Sequence, residues 1–364
     1  MNSKLKSPFL EMYENFMLSK KINKTVDKSS HWDVFQEDFE KTILKTQIWK
    51  TFLRNPLSIG FNDNLRKFGN SRFIENSNFA NGWNLRKEHN FRDLIDEKII
   101  DKRDNDQNLK FLHSLFAFCG INFVMENLQS NIGSPIKTEF KIQYPGYEKY
   151  YNKKNFCNNH DLADIYHFFI IDTYLKNLLE KDSINVLEIG SGYGGLISKI
   201  KKKYKNSRCI LIDLPETIVI QTYYLNSEFP NAKFLYLSDL KKYKEKILDI
   251  DFDFLILPYW EIEAIPNKLI DLIINIRSMM EMTKKTIAFY FKQINRIISD
   301  DGNFVCINRY QKNDISLKEY PFDLYWKVIL SQKSNIQNHI HQLILQRQNN
   351  KNSISIKSLL KNLQ

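Results

Sequence analysis

The chain has 364 residues, 43% of them apolar and 26% charged, enough length for two domains with a sizeable core and the composition of a soluble globular protein. No apolar run approaches the roughly 18 residues that a membrane span needs, and the opening MNSKLKSPFLEMYENF is broken by charge where a signal peptide would be apolar, so a cytoplasmic protein is expected. The formal charge of +11 admits an anionic glycan, a nucleotide-linked sugar or a membrane surface as partner, but no basic patch interleaved with aromatics stands out, and drift in a lysine-rich composition is preferred, with nucleic acid not an expected partner.

Residues 1–155 show no strand–helix rhythm. Helical spacing appears in FLEMYENFML, VFQEDFEKTILKTQIWKTFL, FRDLIDEKII and LKFLHSLFAFCGINFVMENL, joined by asparagine-rich connections. A mostly helical N-terminal substrate or lid region is expected there. Ser30, His31, Trp32 and Trp83 are candidates to line a pocket, with packing anchors as the alternative. The turn-rich Gly133-Ser134-Pro135 and Tyr144-Pro145-Gly146 mark the approach to a second domain, taken as 156–348 and followed by a polar tail, 349–364. That domain opens with the apolar helix NNHDLADIYHFFIIDTYLKNLLEK, started by asparagine and aspartate. His160 and Asp161 at its start can face a cleft, whereas His167 within the apolar stretch reads as a core histidine.

The stretch Val186–Gly195, VLEIGSGYGG, comes next. Four of the chain's 11 glycines, Gly190, Gly192, Gly194 and Gly195, fall within six positions. A buried strand that turns sharply into a helix beneath a bound ligand needs such a bare backbone. A glycine-rich turn that binds nothing is disfavoured, because these glycines cost stability that close approach of a ligand would offset. A second strand, RCILIDLPE, ends in Asp213, 23 residues after Gly190, the place for a carboxylate that grips ribose hydroxyls. A nucleoside cofactor is therefore expected. Gly190, Gly192 and Gly195 also satisfy the dinucleotide pattern G-x-G-x-x-G, but Glu188 just below the loop would repel a diphosphate, whereas the ammonium and sulfonium of S-adenosylmethionine tolerate or welcome it.

Further on, a helix (TIVIQTYYLNSEF) leads to NAKFLYLSDL, read as a strand ending in Asp239, and then to the strands DFDFLILPYW and LIDLIINIRSMM. The segment EMTKKTIAFYFKQINRIISDDG reads as a long amphipathic helix closed by Gly302, feeding the strand NFVCINRY. After the aromatic cluster Tyr320, Phe322, Tyr325 and Trp326, a helix is expected around His339 and His341. The run Lys199–Lys205 reads as a solvated helix face. The alternation predicts an α/β fold, a mainly parallel sheet with helices on both faces, its ligands lying beyond the strands' carboxyl ends. Cys119, Cys157, Cys209 and Cys306 are scattered, with Cys209 and Cys306 read as core residues; neither a disulfide framework nor a metal site is expected.

The strand ends supply a named set. Glu188, Gly190, Ser191, Gly192, Tyr193 and Gly194 come from the first strand and loop, and Asp213 and Leu214 from the second. Ser278, Met279 and Glu281 follow DLIIN, and Asn308, Arg309 and Tyr310 end the last strand. Two sets compete for an adenine ring: Asp239 if NAKFLYL is the third strand of the sheet, or Pro258, Tyr259 and Trp260 if that segment is an insertion. The short distance from Trp260 to DLIIN favours the second.

The pattern E-x-G-x-G-x-G followed by an acidic strand end resembles the first two motifs of class I methyltransferases. With IDLPET, YYL, DLIINIRSMMEM, FYF, INRY and YPFDLYWKV…HQLILQR, it resembles the bacterial sugar O-methyltransferases over roughly residues 130–347, with NIGSP and NNHDLADIYHFF as the approach and only SSHW before it. The resemblance implies a Rossmann-like sheet, S-adenosyl-L-methionine as cofactor, S-adenosylhomocysteine as product, and a sugar or glycan-precursor hydroxyl as acceptor, possible forms being anionic or nucleotide-linked. In-line methyl transfer to such a hydroxyl is helped by a general base, for which Glu281, His160 and His341 are the candidates. Met279, Arg309, Tyr310, Tyr320 and Trp326 are candidates to bind the acceptor. The rival readings are an NAD-dependent oxidoreductase and a methyltransferase-like binding protein without chemistry.

Overall fold

The computed structural model describes residues 159–312, 314–334 and 340–361. The expectations for residues 1–155, including Ser30, His31, Trp32 and Trp83, lie outside the described residues, as do Cys119, Cys157 and His339. The chain divides into two compact units. Among the described residues, those from Ile171 onward belong to one unit, and Asn159–Ile170 belong to the other.

The first helix, α1 (Asn159–Leu179), delivers the chain to β1 (Ile184–Ile189). Then follow α2 (Gly195–Lys203), β2 (Ser207–Asp213), α3 (Pro215–Glu228), β3 (Phe234–Leu235) and α4 (Leu237–Tyr243). The strands β4 (Phe254–Pro258) and β5 (Ile270–Ile276) precede α5 (Lys284–Ile297) and β6 (Ile298–Arg309). A small hairpin, β7 (Gln311–Lys312) and β8 (Ile315–Ser316), leads to β9 (Trp326–Lys333), β10 (Ile340–Arg347) and α6 (Ile356–Lys361).

Eight strands form one sheet in the order β3-β4-β2-β1-β5-β6-β10-β9. The pairs from β3 to β6 are parallel, and β10 runs antiparallel to both β6 and β9. The chain thus has the expected α/β architecture, with an antiparallel edge on a parallel centre. The central strands INVLEI, FLILP and IDLIINI are buried almost throughout, as strands covered on both faces must be.

Helix α5 shows how the sequence builds one of those layers. Thr283 caps it, its Oγ1 accepting from the Thr286 amide at 3.2 Å. Ile287, Tyr290, Phe291, Ile294 and Ile297 then recur at helical spacing and are buried in the core. Phe291 meets Phe304, Tyr320 and Phe322 edge-on, with centroids 5.9, 5.9 and 4.8 Å away, the geometry that the ring quadrupoles favour. Cys209 and Cys306 are fully buried, as expected of small core residues.

Several expectations are corrected. In NAKFLYLSDL only Phe234–Leu235 is strand; Asp239 lies in α4, and its Oδ2 accepts from the Tyr236 amide at 2.9 Å. The short polar side chain thus serves a helix start, a role that aspartate fills better than a strand position. Helix α5 ends at Ile297 rather than at Gly302, and Gly302 lies within β6. There β6 carries extra residues between its pairings with Ile270 and Leu272, and a Cβ on residue 302 would lie 2.6 Å from Ile298 Cγ1 and 3.0 Å from the Ile270 carbonyl oxygen. His341 is on a strand, not a helix. The run from Lys199 is not wholly solvated: Lys199 and Lys201 are buried, and Lys201 Nζ pairs with Asp253 at 2.6 Å while donating to two backbone carbonyls. Finally, α6 lies in the stretch read as a polar tail and buries Ile356 and Leu360 in the core.

Candidate functional site

Strand β1 ends in a loop whose glycines at 190, 192 and 194 all have left-handed backbones, with φ of 73°, 58° and 90°. Only glycine adopts such angles without steric cost. The Gly190 amide donates to the Ile212 carbonyl at 2.8 Å, which ties the loop to β2. Two of these glycines are required by the protein itself. A Cβ on residue 190 would lie 2.2 Å from Ser278 Oγ, and one on residue 194 would lie 3.2 Å from the Leu225 side chain. At these two positions the chain's own side chains crowd the place of a Cβ, severely at Gly190 and mildly at Gly194, a reason for glycine that does not need a ligand.

At Gly192 the loop meets the next strand. The Gly192 amide donates to Asp213 Oδ2 at 2.9 Å. Asp213 closes β2, and its Oδ1 accepts from the Leu214 amide at 2.7 Å. Gln221 on α3 completes the arrangement: its Nε2 lies 3.1 Å from Asp213 Oδ2, 2.9 Å from Ser191 Oγ and 2.7 Å from the Gly192 carbonyl oxygen. Ser191 is buried, and Tyr193 is buried edge-on against Tyr224. Glu188 is buried one residue before the end of β1, beside Leu211.

The strand beside β2 is β4, and Pro258 pairs with Asp213. Asp239 follows β3 on the far side of β4, so the topology sets Pro258, and not Asp239, next to the Asp213 strand tip. A 3-10 turn over Tyr259–Ala264 follows, with Tyr259 buried in the core and Trp260 half-buried. Trp260 Nε1 donates to Glu261 Oε1 at 3.0 Å, and burial pushes the Glu261 carboxyl up from its usual range. Beneath this corner Tyr290 of α5 is buried; burial first, and then the charge of Asp213, push its phenol up.

At the tip of β5, Arg277 takes a left-handed backbone with φ 60°, which turns the chain sharply. Asn275 Nδ2 donates to the Ile189 carbonyl at 2.9 Å and to Ser278 Oγ at 2.5 Å, and Ser278 Oγ donates to the Ile189 carbonyl at 3.1 Å. Asn308 on β6 donates to Asn275 Oδ1 at 3.0 Å and accepts from the Met280 amide at 3.1 Å. These two buried asparagines knit the tips of β1, β5 and β6 into one unit. Glu281 stands at the end of the turn, half-buried, with Lys312 of β7 2.7 Å away.

Tyr310 and His341 come together. The phenol oxygen lies 2.9 Å from His341 Nδ1, and His341 Nε2 lies 2.9 Å from Ser331 Oγ. His341 is fully buried, and burial lowers its pKa to about 4. It therefore stays neutral at neutral pH, with both ring nitrogens engaged. Arg309 is half-buried, and its Nε makes no hydrogen bond among the described residues. Met279, Tyr320 and Trp326 are buried in the core and offer an acceptor little surface, a correction that follows from their packing under α5 and β6. His160 lies in the first turn of α1, and its side chain is outside the described set.

Sequence reasoning missed Gln221 and Asn275. The signal was a lone amide within each of the apolar runs TIVIQTYYL and DLIIN, where a buried polar group must find a partner. Among the described residues no cluster of three or more histidine, cysteine or carboxylate side chains could hold a metal ion.

No family model and no curated protein matches the chain. Solved structures similar to it include the PH0226 protein from Pyrococcus horikoshii OT3, with 14% identity and a TM-score of 0.32 over 50% of this chain and 92% of that one. A SAM-dependent methyltransferase from Aquifex aeolicus gives 13% identity and a TM-score of 0.30 over 49% and 93%. The mitomycin 7-O-methyltransferase MmcR gives 10% and 0.31 over 69% and 75%.

Proposed function

We propose that this chain is an S-adenosylmethionine-dependent O-methyltransferase whose acceptor is a hydroxyl of a sugar or glycan precursor. The observation that carries the cofactor class is the bond from the Gly192 amide to Asp213 Oδ2, which makes a left-handed glycine loop and a strand-end carboxylate one rigid unit. The donor set fits a nucleoside cofactor. Asp213 offers acceptor oxygens to a ribose diol, and the loop Gly190–Gly194 leads into the N-terminus of α2. Leu214, Pro258 and Trp260 would border the nucleoside, with Tyr259 buried behind them, the Asp213–Pro258 pairing favouring this corner over Asp239 for adenine. Glu188, buried under the loop, disfavours the diphosphate of NAD.

When bound, S-adenosylmethionine supplies an electrophilic methyl group on a sulfonium. The chain's own task is to hold an acceptor oxygen in line with it and remove the hydroxyl proton. Glu281 is the preferred base, because its half-buried carboxylate stands just past the β5 tip, with Lys312 orienting it. His160 remains a candidate by sequence alone. His341 is the weakest base of the three, being buried, hydrogen-bonded at both nitrogens and low in pKa. It serves better as the support of Tyr310, which with Arg309 would face the acceptor. The sugar assignment rests on the family resemblance of the INRY, MMEM and HQLILQR segments.

Calorimetric titration of S-adenosylhomocysteine and of NAD into the full chain and its Asp213→Ala variant tests this reading. Binding of S-adenosylhomocysteine alone, weakened in the variant, is expected, followed by methyl transfer in a screen of nucleotide sugars. Tight NAD binding would overturn it in favour of an oxidoreductase.

A further inference from the structure

We propose that Gln221, which is neither in the glycine loop nor at a strand tip, is a positioning residue that locks Asp213 and the loop in the arrangement that receives the nucleoside. The inference rests on the cofactor reading above. Its basis is a single buried amide whose two N–H groups are shared among three acceptors: Ser191 Oγ at 2.9 Å, the Gly192 carbonyl at 2.7 Å and Asp213 Oδ2 at 3.1 Å. The chemistry fixes the amide's orientation. A flipped amide would aim its oxygen at a carboxylate and a carbonyl, both acceptors only.

The other end of the amide shows what this arrangement costs. Gln221 is fully buried, and its Oε1 has no hydrogen-bond partner among the described residues. A buried unpaired carbonyl is unfavourable, and an apolar residue of similar length would avoid it at this position. Asp213 gains in return. With the Gly192 amide and Gln221 on Oδ2 and the Leu214 amide on Oδ1, three donors hold the carboxylate, and each bond to an ionised group is stronger than a neutral one. Because Gln221 also holds the Gly192 carbonyl, it fixes the glycine loop and the β2 tip at once. A ribose hydroxyl then meets a carboxylate whose rotation has already been lost.

The test uses the full chain, with S-adenosylhomocysteine as the calorimetric probe, and compares wild type with Gln221→Met, Gln221→Glu, Asp213→Ala and the Gln221→Met/Asp213→Ala pair. Thermal melts and urea unfolding of each protein without ligand accompany the titrations. Gln221→Met is expected to weaken binding roughly tenfold or more, and Gln221→Glu to weaken it further by setting a second negative charge against Asp213. In the Asp213→Ala background the Gln221→Met loss should largely vanish, since the group being held is gone. Unfolding should show the same coupling between positions 213 and 221. Equal binding by wild type and both Gln221 variants would overturn the proposal, as would a Gln221→Met loss that is undiminished in the Asp213→Ala background, the mark of plain packing. Wild-type protein that fails to bind the probe would instead sink the cofactor reading, and the unfolding cycle would still judge the lock: no coupling between the two positions overturns it.

Discussion

Gly190 and Ser278 share one volume where β1 and β5 end: a Cβ on residue 190 would lie 2.2 Å from Ser278 Oγ and 2.4 Å from Ser278 Cβ. Gly190 also has φ 73°, so Gly190→Ala carries both a backbone cost and an overpacking cost. Together these are expected to destabilise the fold by roughly 2–4 kcal/mol. Urea unfolding in the wild-type and Ser278→Gly backgrounds separates the two. The substitution should cost clearly less when residue 278 lacks a side chain; an equal cost in both would show that the two residues do not compete for space.

His341 ties stability to acidity. Its pKa falls from 6.5 to about 4 on burial, so between those values the unfolded chain binds a proton that the folded chain refuses. Stability is fully present above the unfolded value and is lost as pH falls from 6.5 towards 4, by an amount on the order of 3 kcal/mol. Replacing His341 with Asn removes this component. Unfolding free energies measured from pH 7.5 to 4 should therefore fall less steeply in the variant, and parallel curves would refute the assignment.

Asn308→Ala removes a donor to Asn275 and leaves the Met280 amide without its side-chain acceptor. A loss of about 1–3 kcal/mol is expected from the unsatisfied buried groups. Because the same asparagines hold the turn that bears Glu281, methyl transfer should fall more than the probe's affinity does. Thermal melts together with calorimetry check both halves of the expectation.

Trp326 and Glu281 should divide stability from chemistry. Trp326 is buried against Phe304 with ring centroids 5.9 Å apart, so Trp326→Ala is expected to cost about 3–5 kcal/mol and leave the affinity of the folded protein for S-adenosylhomocysteine near that of wild type. Glu281→Gln should do the reverse, lowering kcat roughly a hundredfold or more at unchanged probe affinity. A Glu281→Gln variant with full turnover would remove Glu281 as the base.

The parallel centre of the fold was legible because β1, β2, β4 and β5 are apolar runs bounded by turn residues, and the loop was legible because glycines crowd into it. What failed were segments whose local pattern fits two structures. In IHQLILQR the residues Ile340, Leu343 and Ile344 suit a helical stripe as well as a buried strand, and only pairing with β6 and β9 decides between them. In FLYLSDLKKY a strand of two residues gives way at once to a helix that Asp239 helps to start. Gln221 and Asn275 were hidden for another reason. A lone amide in an apolar run signals that a partner is needed, but several of the partners are 30 and 86 residues away, which no local spacing reveals.

The position of β10 sets an order of assembly. Among the described residues it is the last strand, yet it lies between β6 and β9 in the sheet. Until residues 340–347 emerge during synthesis, β6 has an open edge and β9 has no place in the sheet. Among the described residues, a chain halted before Ile340 would carry one open edge on β6 and an unpaired β9, a target for association with other nascent chains. The strand that holds His341 is also the one whose arrival joins β9 to the rest of the sheet.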